Sequence, residues 1–180
     1  MRCLVVGGTG LLGGAVADAL FAAGHETTIL SRCKTTRAQA DDMEILCADR
    51  HEDLRVIEDR LFDWIFDSCA YTPDAVYELL DAAGPKLKRY VLISSISVYG
   101  SFEKRNLTEN ESVITANSDD FAIAHDVPSS DRASAFAYGT SYGPLKRACE
   151  IAAMERIGNC TTALRVGLLV GAGDYTDRLT

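Results

Sequence analysis

Tyr142 and Lys146 stand four residues apart in "SYGPLKRACE". On a helix that spacing puts both side chains on one face. A phenol titrates near 10 in water and gives up its proton slowly at neutral pH. A neighbouring ammonium stabilises the phenolate and lowers that value. Such a pair suits delivery of a proton to the alkoxide left when hydride adds to a carbonyl carbon. Upstream, an apolar run ends in "ISSISVYG", where Ser95 can hydrogen-bond a substrate oxygen and orient it. Taken singly, a core tyrosine, a solvated lysine and a strand-end serine have the same appearance. A third group of residues gives them a context.

That group is Gly7, Gly10 and Gly13, spaced G-x-x-G-x-x-G in "LVVGGTGLLGG". A tight strand-to-helix turn needs glycine's backbone freedom. A pyrophosphate needs close backbone approach and the exposed N–H groups of a helix N-terminus. Gly13 would let the helix lie close to the sheet. At the end of the second strand-like run the residues are Ser31 and Arg32. A dinucleotide-binding chain that selects NAD carries a carboxylate there for the ribose 2′-hydroxyl. A serine and a guanidinium hold a 2′-phosphate instead, so NADP is expected over NAD. Asp49, in "CADRHED", offers either an acceptor for the adenine amino group or a cap for a helix over "RHEDLRVIE".

These groups need a frame, and the chain supplies an alternation. Apolar β-type runs at 3–7, 26–31, 43–48, 61–69, 89–95 and 162–171 are separated by helix-type segments at 11–24, 72–84 and 142–158. Gly24 and Gly84 stand as helix stops, and Thr72 with Pro73 as a helix start. Pro144 has no N–H, so it must sit in the first turn of its helix or kink it. Strands that are apolar throughout, alternating with helices, indicate a parallel sheet covered on both faces. Right-handed crossovers make it a doubly wound α/β fold, expected order 3-2-1-4-5-6. Residues 100–137 break the rhythm and read as a long polar loop, functional or mobile.

At 180 residues, with 47% hydrophobic residues and a net charge of -8, the chain reads as one globular domain. The acidic balance argues against nucleic acid and anionic membranes as partners. No apolar run reaches membrane-spanning length. Six cysteines with no C-x-x-C pair read as reduced thiols in a cytoplasmic protein, and no metal site is expected.

The segments "GGTGLLGG", "ILSR", "ADR", "SSISVYG", "YGPLK" and "LRVGLLVGAGDYTDR" together resemble the extended short-chain dehydrogenase/reductases, the NAD-dependent epimerase/dehydratase group. They span essentially the whole chain in family order. The resemblance implies catalytic roles for Ser95, Tyr142 and Lys146, with Lys146 also reaching the nicotinamide ribose. It implies cofactor contacts from Gly7, Thr9, Gly10, Leu11, Leu12, Arg32, Asp49 and Arg50, from Cys69, Ala70 and Tyr71, and from the backbone near Val166 to Leu168. Its hexose dehydratases carry Asp-Glu after the serine or threonine. Ile96-Ser97 stand there in this chain, which disfavours dehydration. Family members continue into a substrate domain beyond the point where this chain stops. The expected substrate is a nucleotide sugar or related carbonyl compound, handled by a reductase or an epimerase. A non-catalytic dinucleotide-binding module is the alternative. A homodimer through the helices at 72–84 and 142–158 is also implied.

Overall fold

The structure, a computed structural model, describes residues 1–34, 43–102, 106–171 and 174. The order is β1 (Arg2–Val6), α1 (Leu11–Ala22), β2 (Glu26–Ser31), β3 (Glu44–Cys47), β4 (Trp64–Asp67), α2 (Pro73–Ala83), β5 (Arg89–Ser95), α3 (Ser118–Asp126), α4 (Tyr142–Ile157) and β6 (Thr161–Val166). All five strand pairings are parallel, and the sheet runs β3-β2-β1-β4-β5-β6.

Period-two geometry sorts the strand residues between two helical layers. On one face Leu4 and Val6 pack with Ile65, Leu92, Val76, Leu79, Cys149 and Ala152, beneath α2 and α4. On the other, Val5 and Ile29 pack with Ala17 of α1. Because both faces are covered, the central strands show no polar alternation, as the sequence indicated.

The helix ends follow their local chemistry. Thr72 Oγ1 accepts from the Ala75 amide at 3.4 Å, and Pro73 takes the first helical position. Helix α1 stops at Ala22, with Gly24 in the left-handed region at φ 78° two residues on. Pro144 is the third residue of α4, inside the turn whose amides have no intrahelical partner, so the helix runs on without it.

Four local expectations need correction. The stretch 100–137 is not one loop: it holds α3 and a 3-10 turn at Ala135–Ser141. Helix α3 buries no residue, so it has no apolar stripe to read; it is started by its cap instead. The Asn117 side chain accepts from the amides of Asp119 and Asp120, and the Asp120 carboxylate accepts from the Asn117 amide. The stretch "RHEDLRVIE" forms turns rather than a helix. The sixth strand ends at Val166, short of residue 171.

The fourth correction concerns the thiols. Cys33 and Cys47 form a disulfide, so the expectation of six reduced cysteines fails for these two. The cause is register: Ser31 of β2 pairs with Cys47 of β3, and Cys33 turns back at φ 53° just beyond. Cys3, Cys69, Cys149 and Cys160 are free. Among the described residues, no helix is long and apolar enough to cross a membrane.

Candidate active site

The carboxyl ends of the parallel strands open onto a cavity of about 350 Å³. It lies where the sheet order reverses, between β1 and β4, which is where open α/β sheets leave a crevice. Of the residues singled out from sequence, Gly7, Thr9, Gly10, Leu11, Leu12, Gly13, Ser31, Arg32, Asp49, Arg50, Cys69, Tyr71, Tyr142 and Val166 line it. Ser95, Ala70, Lys146 and Leu168 stand outside its lining.

The turn from β1 to α1 is held by backbone. The Gly7 amide donates to Leu30 O, and the Gly10 amide to Gly7 O, at 2.9 and 3.0 Å. Gly7 takes φ 78°, a region that favours glycine. A Cβ on Gly13 would collide with the Gly7 carbonyl, 2.8 Å from its carbon. The cap of α1 is Gly10, which has no side chain to bond the helix's first amides. Those of Leu11, Leu12 and Gly13 therefore face the cavity end without intrahelical partners.

Beside this turn, Ser31 Oγ shares a hydrogen bond with Thr9 Oγ1 at 3.0 Å and accepts from the Cys33 amide at 3.1 Å. Asp49 Oδ1 accepts from the His51 amide at 3.0 Å.

Arg50 has another commitment. It is 6% exposed, and its guanidinium donates to Asp67 Oδ1 and to Ala75 O, each at 2.6 Å. Asp67 also accepts from the Tyr90 hydroxyl at 2.8 Å. Burial alone would raise the Asp67 pKa, but the Arg50 charge and these hydrogen bonds hold it below the usual carboxylate value. Burial also pushes His51 down to about 4, helped by the Arg50 charge, so its imidazole is neutral.

At the other end, Ser95 closes β5, and its Oγ accepts from the Ser97 amide at 3.0 Å. Gly143 lets α4 begin directly against this turn: a Cβ there would collide with the Ser97 carbonyl. Tyr142 therefore enters the cavity beside the end of β5. Lys146, one turn further along α4, is 2% exposed. Its ammonium donates to Ala70 O at 2.7 Å and to Ile93 O. Burial lowers its pKa. The ring of Tyr71 lies 5.4 Å from that ammonium, stacks on Tyr138 at 5.5 Å and meets Tyr142 at 6.2 Å.

Glu150 anchors the same helix. It accepts from Ser94 Oγ at 2.6 Å, from Arg165 at 2.9 and 2.8 Å, and from Arg147 at 2.8 Å. Ser94 precedes Ser95, and Arg165 precedes Val166, on paired strands. Burial pushes the Glu150 pKa up, but the hydrogen bonds from Arg165, Ser94 and Arg147 outweigh it and leave it low.

Sequence reasoning missed several lining residues: Lys34, His51, Ser68, Ala133 and Ala135 among them. Lys34 had a signal, a second cation two residues past Arg32. Ala133 and Ala135 had none, since they come from the stretch read as aperiodic.

The sequence matches the family described as "NAD dependent epimerase/dehydratase family" over residues 3–178. A search of the curated proteins found none that matches. Among solved structures, the UDP-N-acetylglucosamine 4-epimerase from Bacillus cereus is 23% identical, with a TM-score of 0.67 over 97% of this chain and 56% of that one. The UDP-N-acetylglucosamine 4-epimerase from Methanobrevibacter ruminantium M1 is 21% identical, with a TM-score of 0.65 over 91% and 54%. The UDP-glucuronic acid 4-epimerase from Bacillus cereus, solved with UDP-glucuronic acid and NAD, is 16% identical, with a TM-score of 0.63 over 92% and 56%. At these identities the likeness shows the fold. The chain spans little more than half the length of these proteins. With 176 of its residues matched end to end by one family description, the chain belongs to the NAD dependent epimerase/dehydratase family.

Proposed function

We propose that this chain is the dinucleotide-binding and catalytic part of an oxidoreductase or epimerase that works through a nicotinamide dinucleotide on a nucleotide sugar or a related small molecule. One observation carries the reading: a single cavity runs from the glycine turn to Tyr142. The turn suits a diphosphate, because the space a Cβ would fill at Gly13 is taken up by close backbone packing and the amides of α1 lack side-chain caps. Ser31, Arg32 and Lys34 at the rim favour a 2′-phosphate, and hence NADP.

A bound nicotinamide supplies or accepts the hydride at the substrate's carbonyl or hydroxyl carbon. The protein's part is proton handling and orientation. Tyr142 gives its phenolic proton to the developing alkoxide, or takes it in the reverse direction. Ser95 orients the substrate oxygen. Lys146, fixed between Ala70 O and Ile93 O with its ammonium against the Tyr71 ring, stabilises the Tyr142 phenolate from across that ring. Ile96-Ser97 supply no carboxylates after Ser95, which leaves dehydration without its acid and base. By the same family likeness the outer faces of α2 and α4, bridged by Arg156 to Asp81 at 2.7 Å, are the surface for a second copy.

The second reading is a dinucleotide-binding module without turnover. It is favoured by Lys146, whose ammonium sits behind Tyr71 and lines no part of the cavity. Calorimetry with NAD and NADP tests the shared premise: absence of heat with both at millimolar concentration removes both readings. Turnover of UDP-sugars then separates them. Product formed with no net change at 340 nm marks an epimerase, and a net change marks a reductase. A Tyr142→Phe protein that keeps full biological function supports the module.

A further inference from the structure

We propose that the Cys33–Cys47 disulfide is a redox modification site that sets how the adenosine end of the cavity grips a 2′-phosphorylated dinucleotide. The inference rests on the dinucleotide reading above. The two half-cystines are exposed, whereas the free thiols Cys3 and Cys149 are buried. A soluble dithiol can therefore reach the bridge, and it is the bridge, unlike the already reduced free thiols, that offers an S–S bond to reduce.

The neighbours of the bridge make it consequential. Ser31, Arg32 and Lys34 flank Cys33, and Ala48 and Asp49 follow Cys47; all five line the cavity. The bridge thus ties together two lips of one site, a cationic one past β2 and an acidic one past β3. It also holds Cys33 in the left-handed region at φ 53°, where its amide donates to Ser31 Oγ. Ser31 in turn bonds Thr9 in the glycine turn. With the bridge closed, Arg32 and Lys34 leave β2 along a fixed path. With it open, that path is fixed only by weaker contacts, and ordering it falls on binding.

The chemistry balances with a dithiol reductant. One of its thiolates attacks a bridge sulfur, the Cys33–Cys47 bond breaks, and a mixed disulfide forms. The second thiol of the reductant displaces it. Two electrons and two protons pass from the dithiol to the protein, which ends with two thiols while the reductant ends as a disulfide.

The test compares oxidised and dithiol-treated protein by thiol count and by fluorescence titration with NADPH and NADH. The oxidised protein is expected to show four free thiols on denaturation, and the reduced protein six. Reduction should weaken NADPH binding about five- to tenfold and NADH binding less than about threefold, because only the former needs the ordered cations. Cys33→Ser and Cys47→Ser should each behave like the reduced protein in either condition, with a thermal melt confirming that they are folded. Six thiols in oxidised protein would overturn the proposal. So would an NADPH affinity that reduction leaves within about twofold. If neither form binds either dinucleotide, the dinucleotide reading itself fails, and this inference with it.

Discussion

The two ends of the cavity are built in opposite ways. At the glycine-turn end the groups that line it are backbone amides, delivered by the short run from Gly7 to Gly13. At the Tyr142 end they are side chains from β5 and α4, far apart in sequence, brought together by the packing of Gly143 on Ser97 and by the Glu150 cluster. The first end needs no particular side chain to present its amides, but a Cβ added at Gly7, Gly8 or Gly13 would collide with atoms packed against it. The second is made of particular side chains, and its position rests on Gly143 and Glu150, which stand outside the cavity lining.

The comparison can be broken at several points. The largest effect is expected from Tyr142→Phe: turnover should fall about 10²- to 10⁴-fold, the span of one positioned proton donor, with dinucleotide affinity unchanged by fluorescence titration. An unchanged turnover would remove Tyr142 from the chemistry. Next is Asp67→Ala, which strands the Arg50 guanidinium in a fully buried pair. Breaking such a pair costs about 3–5 kcal/mol, and a calorimetric melt should move down by roughly 10 °C. Gly13→Ala should cost about 1–3 kcal/mol through overpacking against Gly7 and abolish measurable dinucleotide binding. That loss should appear even in protein that is still folded by circular dichroism.

The smallest effects are in the pH dependence, and they follow from the shifted groups. His51 has a folded pKa of about 4 against 6.5 unfolded. Between those values the unfolded chain binds the extra proton, so stability falls as pH is lowered through that window. His51→Gln should flatten the melting temperature there. Asp67 and Glu150 have lowered folded pKa values. Their stabilisation is full above the unfolded carboxylate values and is lost as pH falls through the folded ones. A second decline, below about pH 4, should therefore survive the His51 change. A single transition without the first step would show that His51 is solvated.

Much of this was legible residue by residue, and the illegible parts share a cause. The strands, the start and stop of α2, and the glycine turn all follow from neighbours within a few positions. Helix α3 escaped because it buries nothing and so carries no apolar period. The Cys33–Cys47 bridge escaped because it depends on the register of two strands, a property no spacing encodes. Arg50 reads as a ligand contact on family likeness and does line the cavity, but its ion pair with Asp67 and its bond to Ala75 O depend on how β4 and α2 meet.

By itself the sequence determined the alternation of strands and helices, the position of the glycine turn and the shared face of Tyr142 and Lys146. Each depends on steric preference or periodicity that acts over one turn or one strand. Only the tertiary structure decided that Lys146 lies behind Tyr71, that Glu150 joins α4 to the ends of β5 and β6, and that a disulfide ties two lips of the cavity. Those contacts exist because distant segments are packed together, and the free energy of packing belongs to no segment alone.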